Sequence, residues 1–475
     1  MSRNKKNKSF TPVLIIFAVC VIAIVIFGIA TNPEKAADVL GQNVDSLSEV
    51  KVDGTNVDEN PSQDMTEIGG SPFVVSTAKI GSAGDILIHK PILEGAYSSS
   101  TGTYSFDDIF TAVSPTINSY DYFIANLEVT CGGKERGYST YPTFNIPDAI
   151  VDSAKTAGID CLLTSNNHCY DSNEAGVLRT QEVVSNAGLD HTGSVTSEEQ
   201  DNFLVKEING IKFGFVCYTY ETDSETGTAI NGILLTDKAS KLINTFHYQT
   251  LTKFYTKLGA QLEAMKNQGA EVLVVYMHWG EEYQLKQNSW QTSIAQKLAD
   301  MGVDVIIGGH PHVVQPVDLI ESTDKTHKTV CVYSMGNFVS NQRRAYMPLK
   351  DGHTEDGLVF EMTFSKYSDN TVKFDSVDVI PTWVHLYPSG GKNVYRITPL
   401  SKDLTADAAG LGLNNSSNGL SLAQGSYQRT MDLVSEGLKE CNNYLSSDGE
   451  EVTNETVSET VSENAFSTEP GADLV

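Results

Sequence analysis

Five places in the chain set metal-ligand side chains at or near the end of an apolar run. His278 closes VLVVYMH, and His310 and His312 follow VDVII in GGHPH. Asp85 and His89 lie in GDILIH, Asn126 and Glu128 in NLE, and Asn167, His168 and Asp171 in NNHCYD. Imidazole, carboxylate and amide oxygen together form the donor set of borderline divalent ions such as Zn2+, Mn2+ or Fe2+, and the lack of thiolates argues against a structural zinc finger. Taken singly, each residue has a plainer reading. A histidine at a strand end is more often hydrogen-bonded than ligating, an asparagine there caps a helix or makes a turn, and Asp85 after Gly84 suits a turn. The recurrence at five strand ends is what favours a metal site.

The elements that must position these residues read as alternating strands and helices. Residues 271–316 hold two β-branched runs with helical spacing over 291–301 between them, a β-α-β unit. Its strands lie parallel, so all three histidines emerge on one edge of the sheet, where open α/β sheets bind ligands. Earlier strand-like runs are AKIGSAGDILIH, DYFIANLE, IDCLLTSNNH and IKFGFVCYTY, with helical patterns at 107–119, 147–157, 175–187 and 254–267. The later runs TVCVYSMGNF, LVFEMTF and VKFDSVDVIP have no helices between them and are expected to pair antiparallel. The expectation is one α/β domain over 77–400, with two sheets or one mixed sheet.

Outside that domain the composition shifts. Arg3, Lys5, Lys6 and Lys8, in a basic segment 1–12, precede an uncharged apolar run over 13–30. Eighteen residues of helix cover about 27 Å, enough for a hydrocarbon core, and exceed the usual signal-peptide core. The run reads as an uncleaved single-pass anchor, with a cleaved signal as the rival. The basic flank keeps the N-terminus cytoplasmic and puts the main domain outside the cell. Cys20 sits in the middle of the run, which does not suit a lipoprotein cleavage site. Residues 31–76 read as a flexible acidic stalk, 401–446 as a linker with an amphipathic helix over 420–445, and 447–475 as a disordered acidic tail. The net charge is −27, and setting aside the four basic residues at the start leaves −31 on the rest. That surface repels nucleic acid and anionic lipid, so no nucleic-acid partner is expected. The remaining six cysteines show neither C-x-x-C spacing nor a regular framework; an outside location permits disulfides, but the spacing assigns no pairing.

In order, GDILIH, NLE, NNHCYD, HWGEEY, GGHPHVVQP and YSMGNF resemble the motifs of the CapA family, bacterial capsule or poly-γ-glutamate biosynthesis proteins similar in fold to calcineurin-type metallophosphoesterases. The resemblance covers about residues 79–381 and implies a sandwich of two mixed β-sheets flanked by helices. It implies two divalent ions: Asp85, His89 and His312 would hold one, Asn167, His278 and His310 the other, with Glu128 bridging. His168 would donate a proton to the leaving group and Asp171 would orient it. Two features depart from the phosphoesterase pattern. Asp85 and His89 are four apart, about 13 Å along an extended strand, so His89 shares a metal with Asp85 only if the chain turns between them. Glu128 stands where aspartate is usual. Asn126, Trp279, Glu282, Tyr283, Asn337, Arg343 and Arg344 are expected to face substrate, arginine being suited to phosphate or carboxylate.

Three functions follow as expectations. One is a metal-dependent hydrolase acting outside the cell on a phosphoester or an amide of an acidic polymer. Another is an accessory subunit that binds an anionic capsule polymer without turnover, beside other synthesis or export subunits. The third is a degenerate domain serving as an interaction module, which the retained ligand set disfavours.

Overall fold

The computed structural model describes residues 71–447. The basic segment, the 13–30 run, nearly all of the stalk and the acidic tail lie outside the described residues. Among the described residues no helix is long and apolar enough to cross a membrane.

Two mixed sheets are built in three blocks of the chain. The first block gives β1 (Val74–Ile86), helix α1 (Lys90–Ala96), β2 (Tyr122–Leu127), helix α2 (Ala149–Ala157), β3 (Cys161–Leu163), helix α3 (Asn173–Asn186) and β4 (Asp190–Thr192). Strands β1 to β4 pair parallel in sequence order. The second block builds the other sheet from β5 (Leu204–Ile208), β6 (Ile211–Tyr220), β7 (Thr245–Phe246), helix α4 (Leu251–Asn267), β8 (Val272–His278), helix α5 (Ser289–Asp300), β9 (Val305–Gly309), β10 (Val317–Glu321) and β11 (Lys328–Val332). Its order is β7-β6-β8-β9-β11-β10, with β5 beside β6. The third block returns to the first sheet: β12 (Asn337–Val339) pairs with the end of β1, and the meander β13 (Asp356–Tyr367), β14 (Val372–Ser389) and β15 (Lys392–Pro399) extends its other side antiparallel.

Alternation along the strands explains the layers. In β8, Val272, Val274 and Tyr276 enter the core between the sheets, with Ile80, Ile124, Phe213, Phe215 and Phe360. Leu273, Val275 and Met277 point the other way, onto α4 and α5. In β2, Ile124 faces inward while Phe123 and Ala125 pack against α2. Both faces of the central strands are buried, which is why these runs read as continuously apolar. Helix α5 opens with a capping box, Asn288 and Gln291 each accepting from the other's backbone N–H at 3.0 and 2.9 Å.

The structure redraws several sequence-based boundaries. The first strand begins at Val74, inside the expected stalk, and ends at Ile86, so His89 is the N-cap of α1. The run TVCVYSMGNF is two strands in different sheets, β11 and β12, with Gly336 at φ 70 in the crossing between them. The 107–119 pattern breaks into two turns of helix, Asp107–Phe110 and Ser114–Ile117, with Pro115 at the start of the second. The helix expected over 420–445 is present as the 29-residue α6 (Gly419–Ser447), but it belongs to the domain expected to end at 400, since its Val434, Leu438, Cys441 and Leu445 complete the core between the sheets. Arg429 on α6 holds the buried Asp356 of β13 at 2.7 and 2.8 Å.

Candidate metal centre

The inward-facing positions that are apolar in mid-strand turn polar at one shared edge. In the first sheet, Asp85 is in register with Asn126 of β2 and Asn337 of β12. The approach of β12 requires Gly84, since a Cβ there would lie 1.9 Å from the Gly336 carbonyl oxygen. Asp85 N–H donates to that same oxygen at 3.1 Å. Glu128 follows β2 by one residue, its N–H donating to Ile86 O at 3.2 Å. In the second sheet, His278 continues the inward series 272, 274, 276 and pairs with Gly309. His310 and His312 have φ of 96° and 56°, left-handed values that cost energy for a residue with a Cβ. That backbone is held from outside: His310 N–H donates to Asp85 Oδ2 at 3.3 Å, and Tyr283 N–H donates to Pro311 O at 2.8 Å.

Two ligand groups result, and they share one carboxylate. Glu128 with His278 and His310 forms one, and Glu128 with Asp85 and His312 the other, with the donor atoms of each within 4.8 Å of one another. Asn167 Oδ1 lies 2.8 Å from His278 Nε2, beside the first group. Glu128 is fully buried, yet neither of its oxygens has a hydrogen-bond partner, and the buried His310 Nδ1 has none either. His278 and His312 approach Glu128 Oε1 to 3.5 and 3.7 Å, too far for good hydrogen bonds. A buried carboxylate without donors is costly unless a cation completes it, so the residues present fit a divalent ion.

The electrostatics agree. Burial first, then the charges of Asp85 and Glu282, pushes the Glu128 carboxyl well above its ordinary value. Burial also pushes Asp85 up, but the hydrogen bond and charge of His312, with His278 and Asn126, bring it below the usual carboxylate value. Burial holds His278 down to about 3 and His310 well below the normal imidazole value. Neutral imidazoles keep a lone pair for a metal. None of the free cysteines belongs to either group, which leaves nitrogen and oxygen donors.

Beside the cluster, His168 Nδ1 lies 2.7 Å from Asp171 Oδ2, and Phe144 packs edge-on against the His168 ring at 4.7 Å. His89 stands outside both ligand groups. Its Nδ1 accepts from Asn341 N–H at 3.2 Å, although the chain turns after Ile86 and brings the ring near enough to feel the charges of His312 and His168.

Several side chains expected to meet substrate are engaged elsewhere. Asn126 donates to Asp85 Oδ1 at 2.8 Å and accepts from Asn166 at 3.0 Å, so it fixes a candidate ligand. Asn337 lies 3.1 Å from His312 Nδ1 and donates to His312 O, Gln342 Oε1 and Thr354 O, which uses up its amide. Trp279 is fully buried against α4 and α5 and donates to Tyr333 O at 2.9 Å. Arg343 and Arg344 both bind the buried Glu355, at 3.1 and 2.8 Å. Glu282 is exposed at the rim, and Tyr283 is half-buried beside His312, with ring centroids 6.3 Å apart.

Some residues of the site escape a sequence reading. Tyr220 ends β6, its ring parallel to that of His278 and 4.8 Å from that of His310. Asn166 holds Leu127 O and the His168 N–H. Tyr220 sits at a strand end and Asn166 opens the NNHCYD motif, but tyrosine and a second asparagine are too common in such places to stand out.

Comparison with known proteins covers the same stretch. The family model described as Bacterial capsule synthesis protein PGA_cap matches residues 79–342, which include both ligand groups. The capsule biosynthesis protein CapA of Bacillus anthracis is 27% identical over 264 residues, 54% of this chain and 59% of that protein. The PGA biosynthesis protein CapA of Bacillus subtilis (strain 168) is 27% identical over 242 residues, 50% of this chain and 57% of that protein. The matched region thus spans somewhat over half the length of each relative.

Proposed function

Because the chain belongs to the bacterial capsule synthesis protein family, we propose that it acts in the making or export of an anionic capsule polymer such as poly-γ-glutamate, as a divalent-metal hydrolase anchored to the membrane with its domain outside the cell. The observation that carries the hydrolase reading is Glu128, a fully buried carboxylate without hydrogen-bond donors, placed between His278, His310, His312 and Asp85. Divalent ions held there would polarise a phosphoryl or carbonyl oxygen and acidify a water. The chain's own residues supply the rest. Asp171 takes the Nδ1 proton of His168 as a hydrogen bond, which leaves Nε2 to deliver a proton to the leaving group. Asn126, Asn337 and Asn166 fix the carboxylate, imidazole and loop that must not move during the reaction.

The second reading is polymer binding without turnover. It is favoured by the rim, where Glu281 and Glu282 are exposed while Arg343 and Arg344 are both turned onto the buried Glu355, so an acidic polymer would be drawn in by bound ions rather than by basic side chains reaching out to it. The two separate on the full-length protein loaded with Mn2+ or Zn2+ and given phosphodiester, γ-glutamyl amide and intact polymer. The hydrolase reading predicts cleavage of one substrate that stops on chelation. Binding of polymer that chelation reverses, with no cleavage of any substrate, would replace it with the second reading.

A further inference from the structure

Asp171 is wholly buried, and both of its carboxylate oxygens are in use. Oδ2 accepts from Phe144 N–H at 2.6 Å and lies 2.7 Å from His168 Nδ1. Oδ1 accepts from Asn231 Nδ2 at 3.1 Å, and the same amide nitrogen lies 3.4 Å from His168 Nδ1. Asn231 comes from a part of the chain that the sequence motifs do not touch. It is the first turn residue of a small hairpin, Ala229–Ile230 against Ile233–Leu234, and with Gly232 it adopts φ of 51° and 72°. Asn-Gly is the preferred pair for such a turn, so the bland reading of Asn231 is a turn former. What places it here is the residue before it. Ile230 is fully buried in a small core with Cys169 and Tyr170, the two residues between His168 and Asp171. The hairpin is thus pinned by its apolar side to the loop whose polar side Asn231 grips.

We propose that Asn231 is a positioning residue for proton delivery, holding Asp171 through Oδ1 so that His168 keeps the ring orientation the leaving group needs. The inference rests on the hydrolase reading above. In the step concerned, the oxygen of a water bonds to phosphorus and that water gives one proton to solvent, the bond to the leaving oxygen breaks with its electron pair, and His168 passes a proton to that oxygen and regains one from solvent. The net reaction is ester plus water to phosphate and alcohol. An alkoxide needs this proton and a nitrophenolate does not, so the leaving group reports the positioning.

The test is Asn231→Gly in the full-length chain, because glycine keeps the left-handed turn and removes the amide alone. Loss of a partner of this kind costs about 10- to 100-fold. The variant should lose that much kcat on an alkyl phosphoester and stay within about twofold on the nitrophenyl ester, with unchanged bound metal. In metal-free protein, the downfield imidazole N–H resonance assigned to His168 with a His168→Asn control should be lost to exchange in the variant. Equal loss on both esters, no loss on either, or an unchanged resonance would overturn the proposal. Wild-type protein that cleaves neither ester overturns the hydrolase reading itself, and this inference with it.

Discussion

Alanine at both His278 and His310 is expected to lower hydrolysis by about 10^3-fold or more while leaving the protein folded. The two imidazoles supply the nitrogen donors of one ligand group and share Glu128 with the other. Losing the electrostatic stabilisation of one ion position forfeits several kcal/mol at the transition state, and each 1.4 kcal/mol is about tenfold in rate. The loss should appear in kcat, since the ion acts on charge that develops during the reaction. Both histidines stand at or just beyond strand ends whose inward neighbours Tyr276 and Ile307 keep their packing, so a melting curve should still show one cooperative transition. Activity within a few-fold of wild type would mean that the reaction does not use this group.

Glu128→Gln should have opposite effects with and without metal. In metal-free protein the folded state holds the Glu128 proton more tightly than the unfolded chain, whose carboxyl titrates near the ordinary value of 4.5. The folded state therefore binds more protons from that pH up to the raised value, and stability falls as pH rises through the window. Glutamine keeps the shape without the charge. In chelator at pH 8 the variant should be the more stable protein, by about 1–3 kcal/mol, with a flatter dependence on pH. Added Mn2+ or Zn2+ should reverse the order, because only the wild type gains stability from binding. Thermal melts in EDTA and in metal at two pH values check both signs. A variant that is less stable in EDTA and equally stabilised by metal would show that Glu128 is a structural residue.

The strand ends were legible in the sequence because both faces of the central strands are buried. Runs such as VLVVYMH are continuously apolar, and the change to His278 marks the edge of the sheet by itself. Their meeting at one place was legible too, from parallel pairing and the resemblance together. What composition and spacing do not carry is which polar side chain faces the cluster and which supports it. Asn126 and Asn337 have the residue type of substrate ligands, but their register beside Asp85 turns them toward it and toward His312. Trp279 follows His278 directly, and the alternation of the strand sends it to the opposite face, into the core with α4 and α5. Arg343 and Arg344 look available until Glu355 arrives from a turn about ten residues on. Asn231 was out of reach altogether, since its hairpin meets the His168 loop through a tertiary contact made by Ile230.

Hydrolysis by this protein requires a divalent-metal centre organised by Glu128. The most direct test is the metal content of the full-length protein after equilibration with Mn2+, Zn2+ and Fe2+ and removal of free ion, measured by elemental mass spectrometry beside Glu128→Gln. Two ligand groups sharing one carboxylate predict up to two ions per chain in the wild type and a sharp fall in the variant. A wild-type protein that retains no divalent ion under any of these conditions would contradict it.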